Sequence, residues 1–238
     1  MAADEQAGDA AAGGPAAGGP AAGSVTDNGP GDDPWRSGWQ PALVVLTIAA
    51  IQMLLPDIVT IGPRWLIPSI ELLGAPGVLI LLRMTGDGDT IRVSVMAYMV
   101  LLIGASATNA ILLLKSMLSD VSESGEQLLF AGFGVLIINV LSFALIYWQI
   151  DGGGPQDRAR NPSSGTINDF QFPQQASGWH WRPQLPDYLF TAYTNIIAFS
   201  PTDTMPLTHR VKFLFTIQSS ISLLTVLVTL SRAINLIN

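Results

Sequence analysis

The stretch Gln127 to Gln149, QLLFAGFGVLIINVLSFALIYWQ, decides how this chain folds. It carries no charged residue, and as a helix it is roughly 35 Å long, enough to cross a hydrocarbon core of ~30 Å. Its one central amide, Asn139, must then find a partner among other helices, because lipid offers none. Working outward, apolar segments at 41–61, 65–83 and 92–114 precede it and another follows at 211–236. Pro56 and Asp57 interrupt the first, so its hydrocarbon part is expected to stop near Leu55. Trp65, Tyr147 and Trp148 stand at segment ends, where amphipathic rings favour the headgroup level.

Composition agrees with a lipid-facing surface. Of 238 residues 49% are hydrophobic and 12% charged, against roughly 25% charged in an average soluble domain. Mean hydropathy is +0.40 despite a polar tail. The absence of cysteine excludes disulfides, thiolate metal sites and thiol nucleophiles, and two histidines leave little metal chemistry. A net charge of -7 argues against nucleic acid as a partner, since that affinity comes from clustered bases on phosphates.

Residues 1–40 form an acidic tail rich in Ala, Gly and Pro, with Ala11 to Gly23 reading AAGGPAAGGPAAG. Nothing large is present to bury, so disorder and a spacer role are expected. The tail has neither the basic start nor the apolar run of a signal peptide, which predicts that it stays on the mature protein. Residues 41–149 then read as a four-helix transmembrane region, 150–186 as a loop, and 187–238 as a hairpin plus the last span. The loop opens with Gly152-Gly-Gly-Pro155, and its first half, Pro155 to Gly165, is expected to be disordered. Phe170, Phe172, Trp179, Trp181 and Tyr188 are costly to leave in water, which predicts docking of the second half on the membrane surface or on a partner subunit.

After Pro186, with Asp187 as candidate N-cap, come twelve mostly apolar residues, Tyr188 to Phe199. A helix of that length covers roughly 18 Å and cannot cross alone. Ser200 and Pro201 end it, and Thr202, Asp203 and Thr204 lead to Pro206. The pattern reads either as a re-entrant element, tolerated at depth only inside protein or beside water, or as an amphipathic helix lying flat at the interface.

Leu185 to Asn238 resembles the pore module of tetrameric cation channels: a short pore helix, a filter segment and an inner helix. With Asp203 on the Asp of the potassium-channel filter motif, Pro206 falls on its Pro and Thr194 lies in the pore helix. The Gly-Tyr-Gly positions hold Ser200, Pro201 and Thr202. Potassium filters aim carbonyls inward through backbone angles that Gly supplies, so the resemblance implies a pore of low potassium selectivity. From Pro41 onward the layout is also similar to bacterial membrane proteins with four spans and a hairpin.

In the last segment Gln218, Ser222, Thr225, Thr229 and Arg232 follow spacings of four, three, four and three, which places them on one helical stripe. The stripe reads as a water-facing pore wall or as a seam between packed helices, and packing is the preferred reading. Glu71, Asn109 and Asn139 are the other polar groups inside segments. Depth counted from segment ends predicts two interhelical contacts, Glu71 with Asn109 and Asn139 with Gln218. An intramembrane carboxylate is a functional candidate by default, although Glu71 also suits the first turn of a helix that opens near Pro68 and Ser69.

Gly86-Asp-Gly-Asp89 spells the string of intramembrane aspartyl proteases but sits in a short polar turn, where these residues are expected anyway. No nucleophile elbow, phosphate loop or zinc spacing occurs. His180 and His209 read as interfacial residues. No catalytic, cofactor or metal residues are therefore assigned, and an enzyme is not expected.

Five spans put Arg36, Arg83, Arg92, Arg158, Arg160, Arg182, Arg210 and Lys212 on one face and Arg64, Lys115 and Arg232 on the other. Eight bases against three place the tail and the long loop in the cytoplasm. The expected object is an all-α polytopic protein of a bacterial inner membrane, with five transmembrane helices, a re-entrant hairpin and a homo-oligomeric or complex-bound state in the lipid bilayer. Its expected activity is channel-like permeation, with a pore lined by Thr194, Ser200, Pro201, Thr202, Asp203, Gln218, Ser222, Thr225 and Thr229. The alternative is a non-conducting scaffold or accessory subunit.

Overall fold

Each apolar run between clusters of Pro, Gly and charge forms a helix in the computed structural model, which describes residues 39–60, 62–85, 88–118, 125–160, 168–176, 182–197 and 204–237. The helices are α1 (Trp39–Leu54), α2 (Leu66–Thr85), α3 (Gly88–Leu118), α4 (Gly125–Ile150), α5 (Pro155–Arg160), α6 (Pro173–Ala176), α7 (Leu185–Ile197) and α8 (His209–Ile237). The fold is mostly helical. Among the described residues, three helices are long and apolar enough to cross a membrane, within Val93–Ser116, Gly125–Gly153 and His209–Ser231.

α1 has 16 residues, or roughly 24 Å. It stops at Leu54 because Pro56 disfavours helical backbone in the residue before it, and a short 3-10 turn, Asp57–Val59, follows. Arg64 closes this connection with two bonds to the Asp57 carboxylate, one of them Nη2 to Oδ2 at 2.8 Å. The guanidinium holds the exposed Asp57 carboxyl below its ordinary pKa.

α4 is apolar on nearly every side, as a helix with neighbours all round must be. It packs against α8, α7, α3 and α1. One core cluster joins Val45, Ile48 and Leu55 of the first helical segment to Leu102 and Leu113 of α3 and Val135 and Ile138 of α4. A second is aromatic and gathers Phe143, Tyr147, Phe170, Phe172, Tyr188 and Phe215. Tyr188 meets both Phe170 and Phe172 edge to face, Phe172 at 5.4 Å and 89°, an arrangement that ring quadrupoles favour.

The loop therefore differs from expectation in two places. Phe170, Phe172 and Tyr188 are buried in the chain's own core and not on a membrane surface or a partner. A two-stranded antiparallel pair holds them there: β1 (Phe170–Gln171) lies against β2 (Met205–Pro206), with Phe170 opposite Pro206. The beginning of the loop, expected to be disordered, forms α5. The tail to residue 38, residues 161–167, and Trp179, His180 and Trp181 lie outside the described residues.

α7 starts at Leu185, three residues earlier than expected, and Asp187 is not its N-cap. Gln184 occupies that position, and the Asp187 Oδ2 reaches back to accept its backbone N–H at 2.6 Å, half of a capping box. Pro186 fits in the first turn, where no intrahelical N–H is needed. The helix has 13 residues, roughly 20 Å.

Candidate functional site

α4 ends at Ile150, where the last carbonyls lack partners within the helix, and the next three glycines, Gly152, Gly153 and Gly154, all have positive φ (56°, 83° and 103°), a left-handed turn that other residues rarely adopt. The turn brings two arginines onto the helix end. Arg158 of α5 donates to the carbonyls of Trp148 at 3.0 Å and of Asp151, and Arg210 of α8 donates to that of Ile150 at 3.3 Å. Cations at a helix C-terminus also complement its dipole.

Two fully buried carboxylates share this end. Asp151 Oδ1 accepts the backbone N–H of Asp169 at 2.8 Å and of Phe170 at 3.3 Å, and its Oδ2 accepts the Tyr188 hydroxyl at 2.6 Å. Asp169 Oδ1 accepts Thr208 Oγ1 and Arg210 Nε, each at 2.6 Å, and its Oδ2 accepts Arg210 Nη2 and the Gly152 N–H at 3.3 Å. Every carboxylate oxygen has at least one donor, so the cluster binds chain segments to one another. The start of α7, through Tyr188, and the start of α8, through Thr208 and Arg210, both meet the end of α4 here.

One layer deeper, Gln218 joins three helices. Its Oε1 accepts Tyr147 Oη of α4 at 2.6 Å and Asn195 Nδ2 of α7 at 2.7 Å, while its Nε2 donates to the Ala192 carbonyl at 3.0 Å. Asn195 Oδ1 accepts Ser219 Oγ at 3.2 Å. A turn further along α8, Ser222 donates to Asn139 Oδ1 at 3.1 Å, and Asn139 Nδ2 points to Ser106 of α3 at 3.4 Å. Thr225 and Thr229 bond back to the carbonyls of Ile221 and Thr225, at 2.8 and 2.7 Å. The exposures of Gln218, Ser222, Thr225 and Thr229 are 0, 0, 1 and 8%, so this stripe lies inside one chain. Thr194 is half-buried and bonds the carbonyls of Phe190 and Thr191 on its own helix. Ser200, Pro201, Thr202 and Asp203, and the Arg232 side chain, lie outside the described residues.

Neither expected amide contact forms. Asn139 pairs with Ser222, one turn beyond Gln218, because Gln218 is level with Tyr147. Glu71 bonds Gln52 of α1 at 2.9 Å, and Asn109 Nδ2 has no partner. Gly74 lies against Tyr98, which puts Glu71 level with residue 101 and roughly 12 Å from Asn109 along α3. The expected depths slipped because α3 begins at Gly88 and runs to Leu118, past both ends of the apolar segment.

Comparison with protein-family models, curated proteins and solved structures finds no match. The residues themselves must carry the functional reading. Tyr147, expected at the headgroup level, is instead fully buried and bonded to Gln218, and several residues were not singled out from the sequence: Asp151, Asp169, Asn195 and Gln52. For Asn195 a signal exists, since Asp187, Thr191 and Asn195 repeat every four residues, one face of a helix. Nothing local marks Asp169, whose partners lie far away in sequence.

Proposed function

We propose that this chain is a membrane-embedded scaffold or accessory subunit that does not itself conduct ions. The observation that carries the reading is the burial of the polar stripe of α8 against α4, α3 and α7. A pore wall at the centre of an oligomer has to face outward from each chain and be wetted. This stripe faces inward, and its two amide-bonded members, Gln218 and Ser222, have partners from the same chain.

In this reading α1 and α2 cross with α3, α4 and α8, giving five spans, and α7 with the segment after it forms a re-entrant hairpin. Support for the hairpin comes from its two legs: Tyr188 near the start of α7 and Thr208 at the start of α8 bond the same aspartate pair, and Thr204 Oγ1 is 3.2 Å from Thr191 Oγ1. The chain thus returns to the face it entered from. The excess of bases makes that face the cytoplasmic side of a bacterial inner membrane. Outward-facing Phe190, Tyr193 and Ile197 on a half-length helix favour a protein neighbour, a second copy or a partner subunit, because the last-turn carbonyls of a helix that stops at depth have to be satisfied.

The test is ion flux through purified protein in liposomes. No flux of sodium, potassium or chloride above empty liposomes is expected, for the wild type and for Asp203→Asn alike. Wild-type flux that Asp203→Asn alters would establish the channel-like reading instead, with the filter-like residues 200–203 as its pore.

A further inference from the structure

Glu71 lies in the seam of α1, α2 and α3 and is 1% exposed; Gln52 of α1, which faces it, is 2% exposed. Gln52 Nε2 donates to Glu71 Oε1 at 2.9 Å. The remaining oxygens of the same two groups, Gln52 Oε1 and Glu71 Oε2, are both buried without a partner. These four atoms are the components of a cyclic acid–amide pair, in which the amide N–H donates to one carboxyl oxygen and the carboxyl O–H donates to the amide oxygen. With an ionised carboxylate, two acceptors stay unpaired inside the protein, an arrangement that native interiors avoid. A proton on Oε2 satisfies both at once. Exchanging the amide oxygen and nitrogen leads to the same requirement, because two oxygens 2.9 Å apart need a proton between them.

No neighbouring cation favours the ionised form among the described residues. α1 contains no ionisable side chain. On α3 the facing group is Tyr98, whose hydroxyl donates to the Glu71 backbone carbonyl at 3.1 Å and not to the carboxyl. Asp57 and Arg64, in the connection between α1 and α2, are exposed and paired with each other. We infer that Glu71 and Gln52 form an intramembrane proton-binding site, a neutral acid–amide clasp that joins α1 to α2 and opens when the proton leaves. The site is independent of whether the chain conducts ions, and its ligand is a proton.

Infrared spectroscopy of the full chain in lipid tests it. The wild type is expected to show a protonated-carboxyl C=O band at neutral pH that Glu71→Gln removes, and that fades as the pH is raised. Glu71→Gln, which keeps an N–H donor in place of the acid proton, is expected to melt at the wild-type temperature in acid and above it at neutral pH, where the unfolded wild type holds the carboxyl ionised. As the pH rises from acid, the wild type should lose thermal stability relative to Glu71→Gln, since the unfolded carboxyl ionises and folding must then take up a proton. Gln52→Leu should shift the band to higher frequency, because the acid loses its amide partner. Absence of a band that Glu71→Gln removes would overturn the inference, as would a Glu71→Gln protein less stable than wild type at neutral pH.

Discussion

At the scale of single residues, the packing of α4 turns on two glycines with different tasks. A Cβ added to Gly132 would lie 2.1 Å from Thr229 Oγ1 and 2.9 Å from its Cγ2, and one added to Gly134 would lie 2.8 Å from Leu55 Cδ2. Two residues apart on a helix, they face nearly opposite ways, so one admits α8 and the other the end of the first helical segment. Gly132→Ala is expected to cost about 1–3 kcal/mol by overpacking, and Thr229→Ala, which removes both of the nearest atoms, should restore most of that loss in the double variant. A thermal-melt double-mutant cycle checks it, and additive losses would mean that the two residues do not touch. The sequence displays both glycines but not their neighbours, and the same gap explains the missed polar contacts. Residue type and burial were legible for Glu71, Asn139 and Gln218. The partner was not, since one turn of axial slip, about 5 Å, exchanges one amide contact for another.

At the scale of elements, sequence showed where helices must be and less well what lies between them. Apolar runs located the long helices, and Pro56 fixed the end of α1. The loop after α4 was misread because its aromatic residues were assigned to lipid or a partner, while the donors that hold them inside come from distant positions. Asp151 and Asp169 sit on either side of α5, and their contacts with Tyr188, Thr208 and Arg210 span 37 to 41 residues. This cluster makes the entry to α7 and the start of α8 depend on a few bonds. Tyr188→Phe keeps the ring in its aromatic cluster and removes one donor from a buried carboxylate, at an expected cost of about 1–3 kcal/mol. The loss should be local: amide hydrogen exchange is expected to accelerate in α7 and in β1–β2 more than in α3 or in the first half of α4. Uniform acceleration along the whole chain would show that the Asp151–Asp169 cluster has no separate role. Arg210→Lys should give a weaker version of the same pattern, because an ammonium cannot match the two-pronged contact with Asp169.

At the scale of the whole molecule, the proposed five crossings add α1 and α2 to the three helices long and apolar enough to span, and the side on which the tail lies rests on α1. Sixteen residues reach roughly 24 Å, short of a ~30 Å core, yet the flanking 3-10 turn and the anchoring rings Trp39 and Trp65, both exposed, extend the interfacial reach at each end. If α1 crosses, the tail and the loop after α4 lie on one face and the loop between α3 and α4 on the other. If it does not, the tail changes sides while the loops keep theirs. The chain has no native cysteine, so single cysteines replacing Ser24, Ser122 and Ser163 report the three positions without background. In intact cells an impermeant maleimide is expected to label Ser122→Cys and to spare Ser24→Cys and Ser163→Cys until the membrane is opened. Labelling of Ser24→Cys together with Ser122→Cys would reduce the crossings to four. Labelling of Ser24→Cys and Ser163→Cys with Ser122→Cys protected would invert the molecule, and the proposed hairpin would then enter from outside as a potassium-type pore does. The charge distribution opposes that inversion, because Arg158, Arg182, Arg210 and Lys212 all lie close to the end of α4 or the starts of α7 and α8, and bases close to span ends count most towards cytoplasmic retention.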